Sequence, residues 1–148
     1  MPSVITRPAA LALLLALTAP ACGWIESEGN ERLDARYQAG EVILSEPAAN
    51  FFGLESKGSG QVRGNGALAL TADHLWFSLL TPKTEITIPL QDVLEVSLVK
   101  GHLGKTMASP LVHVRFRTAD GEDAAAWLVH DPERWRQEIA ARAGAAPR

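Results

Sequence analysis

Between residues 41 and 130 the sequence consists of short runs in which apolar and polar residues alternate, and this pattern constrains the fold more than any other feature. The clearest run is Leu111–Thr118 (LVHVRFRT), where every second residue is apolar until the final pair. Successive side chains of an extended chain point to opposite faces, so the run predicts a strand with one buried and one solvated face.

Five further runs of similar length predict strands, and turn residues separate several of them. Ala72-Asp73 forms a turn-sized gap between two runs, and Asp120-Gly121 supplies a hairpin turn. The runs are Ala67–Thr71, His74–Leu80, Thr84–Ile88, Val93–Val99 and Ala124–His130. Six or seven strands of this length predict a mainly β domain, a small antiparallel sandwich or a partly open barrel.

A C-terminal helix follows the predicted strands. Asp131 is a good N-cap, Pro132 suits the first helical position, and Gly144 stands where the helix should end. Trp135 and Ile139 lie on one stripe of this helix. We therefore expect an amphipathic helix that caps the open end of the barrel, within a single domain spanning residues 41–144 and followed by a tail at 145–148.

The order of these elements resembles the pleckstrin-homology-like superfold in its GRAM or bacterial variants. The resemblance covers residues 41–143 and rests on NGALALTADHLWF, ITIPLQDVLEVSL, LVHVRF, the DG turn, AAWLV and the helix opened by DPERW. It implies a domain that binds peptides, proteins or lipids and is rarely an enzyme. The paired basic residues that bind phosphoinositides in eukaryotic members are not evident in the first hairpin, so the resemblance implies a scaffold and not a ligand.

The N-terminus carries a predicted signal peptide at residues 1–21. Arg7 precedes the apolar run Ala9–Ala19, which would rise only about 16 Å as a helix, roughly half of a bilayer core. Ala19-Pro20-Ala21 fits ordinary signal peptidase, but Cys22 follows directly. This arrangement resembles a bacterial lipoprotein signal, which implies that Cys22 becomes the acylated mature N-terminus. The alternative is ordinary cleavage that leaves an unmodified thiol.

Lipidation would anchor the protein in the bacterial cell envelope. Gly23 is not the aspartate that retains lipoproteins in the inner membrane of some bacteria, so the resemblance favours the outer membrane. The alternative is a soluble secreted or periplasmic form of the same domain. Residues 22–40 are charged and predict a flexible tether, with one short helix between Asn30 and Gly40. Trp24 either inserts into the membrane interface or is a linker residue without a specific role.

Composition excludes several function classes. The chain of 148 residues has 14 Lys and Arg against 17 Asp and Glu, a net charge of -3 that disfavours a nucleic-acid binder. Its single cysteine excludes an internal disulfide. The length suits one core and no second domain.

Candidate ligand-binding residues cluster around the glycine-rich stretch Phe51–Gly66. Glycines let its backbone approach a partner closely, and one ring of the adjacent phenylalanine pair should face outward as a contact point. The alternative is a turn-rich loop whose charges are merely solvated. The candidates are Phe51, Phe52, Lys57, Arg63, Asn65 and Lys105. Lys105 lies in GHLGKT, which lacks the first glycine of a phosphate loop because Val99 occupies that position.

No catalytic pattern is present in the sequence. The histidines His74, His102, His113 and His130 show no metal-ligand spacing and are expected to be solvated, so we expect no metal and no cofactor. The prediction is a non-catalytic domain that binds a protein of the same envelope or another ligand, with its oligomeric state open. The alternatives are a carrier of a small molecule or lipid in the barrel mouth, and a hydrolase with its residues gathered in a cleft.

Overall fold

The computed structural model describes residues 21–144, which form a curled antiparallel sheet with one helix before it and one after it. Within this range the strand order is β4-β3-β2-β1-β7-β6-β5. The elements are α1 (Ala21–Arg36), β1 (Leu44–Leu54), β2 (Gly64–Leu70), β3 (His74–Leu79), β4 (Thr84–Pro89), β5 (Val93–His102), β6 (Lys105–Thr118), β7 (Gly121–Leu128) and α2 (Pro132–Ala143), with short 3-10 turns at Glu55–Lys57 and Leu90–Asp92. The predicted mainly β fold of six to seven strands is confirmed.

The inner face of the sheet is filled by aromatic and aliphatic side chains from both halves of the sheet. Phe51 of β1 lies with its ring centroid 4.9 Å from that of Phe77 and 5.7 Å from that of Trp127. Leu68 on β2 and Val114 on β6 are both buried in the same cluster. Because the strands of both halves share one core, the curled sheet is a single packing unit.

Helix α2 covers the open side of this core, as predicted. The Asp131 side chain accepts a hydrogen bond from the Arg134 backbone N–H at 3.1 Å, and Gly144 ends the helix with a positive φ of 65°. Trp135 and Ile139 are buried in the main core cluster, where α2 packs against β5 and β6.

Helix α1 covers one half of the outer face. Leu33 packs with Ala67 and Ala69 of β2 and with Trp76 of β3. The alanines leave the room that a helix needs to approach the strands, and Gly29 lies so close to Pro47 that a Cβ built on it would stand 1.9 Å from the Pro47 carbonyl oxygen.

The structure differs here from the expected flexible tether, because the helix already includes Ala21, well before Asn30, and is docked on the sheet. Arg32 explains much of the docking. Its guanidinium donates to the Ser78 hydroxyl and to the backbone carbonyls of Leu79 and Leu80, each at 2.9 Å. Those acceptors lie at the end of β3 and in the residue that follows it, so Arg32 fixes α1 to this end of the strand.

The β5–β6 hairpin covers the other half of the outer face. Its pairing register shifts between Val99 and Gly101, so the tip bends away from the plane of the sheet. Phe52, Leu111 and Ala126 form a buried cluster beneath this hairpin, with Met107 packed against it.

Several loops lie at the same end of the sheet as the start of α1. Arg32 reaches Leu80 and Tyr37 reaches His74, so α1 runs antiparallel to β3 and its N-terminal end extends past the β3–β4 turn. The β1–β2 loop lies at that end too, because Gly66 pairs with Leu79.

None of the helices within residues 21–144 is long and apolar enough to cross a bilayer. The predicted signal peptide, except Ala21, and the predicted tail lie outside the described residues.

Candidate functional site

Glu55, His102 and His113 form a compact cluster on the outer face of the sheet. One ligand atom from each side chain lies within 4.8 Å of the other two. The His113 Nε2 is 3.6 Å from a Glu55 carboxylate oxygen, and the two imidazole ring centroids are 5.4 Å apart. Two imidazoles and a carboxylate at these distances can bind a divalent metal ion or share a proton.

Three different elements position the cluster. His113 lies on β6 opposite Ala126 of β7, on the face away from the main core. Glu55 follows directly after β1, and the next residue, Ser56, is fixed by Asp123: the Ser56 backbone N–H and hydroxyl donate to the Asp123 carboxylate at 2.9 and 2.6 Å. His102 lies at the bent tip of the β5–β6 hairpin. The backbone at all three positions is therefore held by the sheet or by a side-chain hydrogen bond.

His102 is the most buried member, with 6% of its surface exposed. Its Nε2 lies 3.0 Å from the Gly53 carbonyl oxygen, which can only accept, so Nε2 carries the proton and Nδ1 keeps a free lone pair. Burial lowers the pKa of His102, and the hydrogen bond to Gly53 opposes this shift. The imidazole is consequently neutral at neutral pH, which is the form that binds metals.

The predicted ligand-binding residues do not form one site. Lys57 is exposed at the end of the 3-10 turn after β1, and Lys105 is exposed at the tip of the β5–β6 hairpin. Asn65 accepts a hydrogen bond from the Asn50 side chain at 3.1 Å across the β1–β2 pair. Two surface hollows among the described residues, of about 370 and 490 Å³, are lined by other residues, on α1 and beside the end of α2.

Phe51 and Phe52 do point to opposite faces, but the expectation of an exposed contact ring is wrong. Each side chain is only 4% exposed. Phe51 enters the main core, and Phe52 is covered by the bent β5–β6 hairpin. The expected alternation of the two side chains in β1 is present. The outer face of the strand, however, is covered by residues about 50 positions away in the sequence.

The glycine-rich segment is an ordered loop pinned by Gln61. The Gln61 side chain accepts from the Leu54 N–H and donates to the Leu54 carbonyl, both at 2.7 Å, and also donates to the Gly58 carbonyl. Arg63 donates from Nη2 to the Ser59 carbonyl at 2.7 Å. Its buried Nη1 has no hydrogen-bond partner within the described part of the chain.

His74 and His130 are also bonded, so the expectation of merely solvated histidines is too simple. His74 Nε2 lies 2.8 Å from the Tyr37 hydroxyl, and its Nδ1 lies 2.5 Å from the Asp73 carboxylate. The exposed ring of His130 lies 2.6 Å from the carboxylate of Glu46, a buried residue on β1. These contacts hold α1 to the sheet and the start of α2 to β1.

Sequence reasoning missed the Glu55, His102 and His113 cluster because no short spacing connects its members. Positions 55, 102 and 113 meet only through the β1–β7–β6 pairing and the bend of the hairpin tip. One observation could have indicated the cluster: His113 has an outward position on a predicted strand, and another histidine, His102, lies in the hairpin next to it.

No protein-family model and no curated protein matches the chain. A similar solved structure is the crystal structure of the C-terminal domain of an unknown protein from Leishmania infantum. The similarity has a TM-score of 0.50 at 11% sequence identity, and covers 82% of this chain and 97% of that one. At this identity the similarity shows the fold alone, a mainly antiparallel β-sheet with helices.

Proposed function

We propose that the protein is a lipid-anchored bacterial envelope protein whose pleckstrin-homology-like domain binds a partner and has no catalytic role. The observation that carries the binding function is the filled interior of the sheet. A carrier needs a cavity for its cargo, whereas Phe77, Trp127 and Trp135 occupy the space between the sheet and α2. The binding surface is then on the outside of the domain.

The strand connections support the pleckstrin-homology-like assignment. Strands β1–β4 and β5–β7 are two consecutive antiparallel meanders, joined by the β1–β7 pair. The C-terminal α2 covers the core between the meanders. The assignment agrees with the resemblance noted in the sequence, which implies binding domains more often than enzymes.

Helix α1 gives the anchor a definite geometry. From Cys22 to Gly29, which lies against Pro47 of β1, the helix advances about 10 Å. The domain therefore stands close to the bilayer in a fixed orientation instead of moving on a long tether. Trp24 is 63% exposed in this first stretch, which suits a residue placed at the membrane interface.

Mass spectrometry and membrane fractionation of the native chain test the anchor. We expect a mature N-terminus at Cys22 with added acyl mass, and recovery in the membrane fraction. Cys22→Ser should lose the acyl mass and leave that fraction, whereas the control Ala35→Ser, on an exposed position of α1, should behave as wild type. An unmodified N-terminus, or membrane recovery of Cys22→Ser equal to wild type, would contradict the anchor.

Photo-crosslinking in intact envelopes tests the binding function separately. A crosslinker at Val62, which is 55% exposed at the anchored end, should capture an envelope protein. The same crosslinker at Ala72, exposed in the turn at the opposite end of β2, should capture much less. Equal labelling at both positions, or none at either, would contradict partner binding at this end. Native mass spectrometry that finds a stoichiometric small molecule or lipid in Cys22→Ser would favour the carrier instead.

A further inference from the structure

The arrangement of the His102, His113 and Glu55 cluster is close to that of a metal centre. Zinc bonds of 2.0–2.2 Å at tetrahedral angles place neighbouring ligand atoms about 3.3 to 3.6 Å apart. The His113 Nε2 to Glu55 oxygen distance of 3.6 Å already lies at this spacing. The ligand atoms of the whole set lie within 4.8 Å of one another, so the remaining pairs have to close by at most roughly 1.5 Å, and the exposed Glu55 side chain is the member freest to rotate.

A supporting contact around His102 also suits metal binding. Histidines that bind metals usually donate their other ring N–H to a carbonyl or carboxylate, which fixes the tautomer and the ring orientation. The His102 bond to the Gly53 carbonyl has this form. This hydrogen bond fixes the ring of His102, the buried member of the cluster, before any metal ion binds.

We propose that Glu55, His102 and His113 bind one divalent transition-metal ion, with zinc as the best match. Two imidazoles and one carboxylate suit zinc and neighbouring transition metals, whereas magnesium and calcium prefer oxygen ligands alone. Three protein ligands leave a position for water or for a donor from another molecule. The Glu55 side chain is 56% exposed, so this position is reached from solvent.

Calorimetric titration of metal-free full-length protein with ZnCl₂ tests the proposal. The Cys22→Ser background removes the thiol as a competing ligand and also removes the site of the proposed acylation. We expect one zinc ion per chain, and at least about tenfold weaker binding in Glu55→Gln, His102→Ala and His113→Ala. His130→Ala is the matched control and should bind as the background does, because His130 lies outside the cluster.

Folding and coordination have to be separated in this test. His102 is buried, so His102→Ala can fail by unfolding; Glu55→Gln changes an exposed carboxylate to an amide of equal size and keeps the fold. Cobalt replacement adds a spectroscopic measurement, since a visible d–d band reports ordered coordination and Glu55→Gln should weaken it. No zinc binding, or equal binding by the background and Glu55→Gln, would overturn the proposal. Equal losses in His130→Ala and the cluster variants would identify adventitious histidine binding and would also overturn it.

Discussion

The close contact of α1 with β1 makes Gly29 a position where the usual effect of an alanine should reverse. In an exposed helix interior, replacing glycine with alanine stabilises by about 1 kcal/mol. At Gly29 the new Cβ would stand 1.9 Å from the Pro47 carbonyl oxygen, whereas ordinary contact begins at 3.4 Å. The obstructing atom is backbone, so no side-chain rotation relieves the overlap, and α1 must move by about 1.5 Å.

This movement determines the expected magnitude. A shift of that size strains the three 2.9 Å bonds from Arg32 to Ser78, Leu79 and Leu80, and we expect at least one of them to break. Losing one charge-assisted bond costs about 1.5 to 3 kcal/mol, and overpacking adds about 1 to 3 kcal/mol. After the helix-propensity gain of about 1 kcal/mol is subtracted, we expect Gly29→Ala to lower the free energy of unfolding by about 1.5 to 5 kcal/mol.

Gly23 is the matched control within the same helix, because a Cβ there meets nothing within 4 Å. Gly23→Ala should be neutral or stabilising by up to about 1 kcal/mol. Urea unfolding of both variants in the Cys22→Ser background gives the free energies, and hydrogen exchange of α1 amides shows whether the helix has detached. If Gly29→Ala matched Gly23→Ala in stability and α1 protection, the docking of α1 inferred from this contact would be refuted.

Three further perturbations test separate parts of the structure. Trp135→Ala should lower the free energy of unfolding by about 3 to 5 kcal/mol because it empties the core beneath α2; a urea-unfolding loss below about 1 kcal/mol would contradict this packing. Trp24→Phe should remove nearly all iodide-quenchable fluorescence, since the other three tryptophans are at most 3% exposed; persistent quenching would show that one of those is accessible. Hydrogen bonds from Thr71 and His74 lower the pKa of Asp73, so its carboxylate stabilises the fold at neutral pH and this contribution is lost as pH falls through the lowered value. Asp73→Asn should therefore flatten the stability profile as the pH falls below the ordinary aspartate value of 3.8, and an unchanged urea-unfolding profile would contradict the assignment.

The strands that were readily predicted from sequence are those with ordinary alternation, such as β6. The cover over the outer face was harder to predict, because β2 alternates leucine with alanine rather than with polar residues. Ala67 and Ala69 face outward, yet both are fully buried under α1. A strand face made of alanines is compatible both with exposure to solvent and with a closely packed helix. The many charged residues of α1 favoured a flexible tether over a packed helix. The packing of α1 on the sheet depends on the contacts of Arg32 and Gly29 with backbone atoms far away in the sequence. Local sequence patterns do not predict either contact.

Strand β1 and the histidine cluster show a second limit of local patterns. Pro47 disturbs the alternation of β1, and the pairing register of β1 with β2 shifts between Glu46 and Ala49, so local alternation does not predict an 11-residue strand here. The Glu55, His102 and His113 cluster depends on this strand and on the bend at Val99 and Gly101. A site assembled by two irregularities has no linear signature, which is why the candidate residues chosen from composition were different ones.

The proposed anchor and the proposed metal site occupy the same end and the same face of the sheet. Leu54 pairs with Ala125 and His113 pairs with the adjacent Ala126, so the metal ligands lie near the end of β1 towards which α1 projects its N-terminus. Acylation at Cys22 would place that end next to the bilayer, because α1 is docked rather than free. A partner in the same membrane could then supply the remaining metal ligand at a high effective concentration, even through a small interface. The two proposals together predict that zinc chelation reduces Val62 crosslinking in wild-type envelopes and has no effect on residual crosslinking in Glu55→Gln. Chelation that left wild-type crosslinking unchanged would separate the metal site from partner binding and leave each to be judged by its own test.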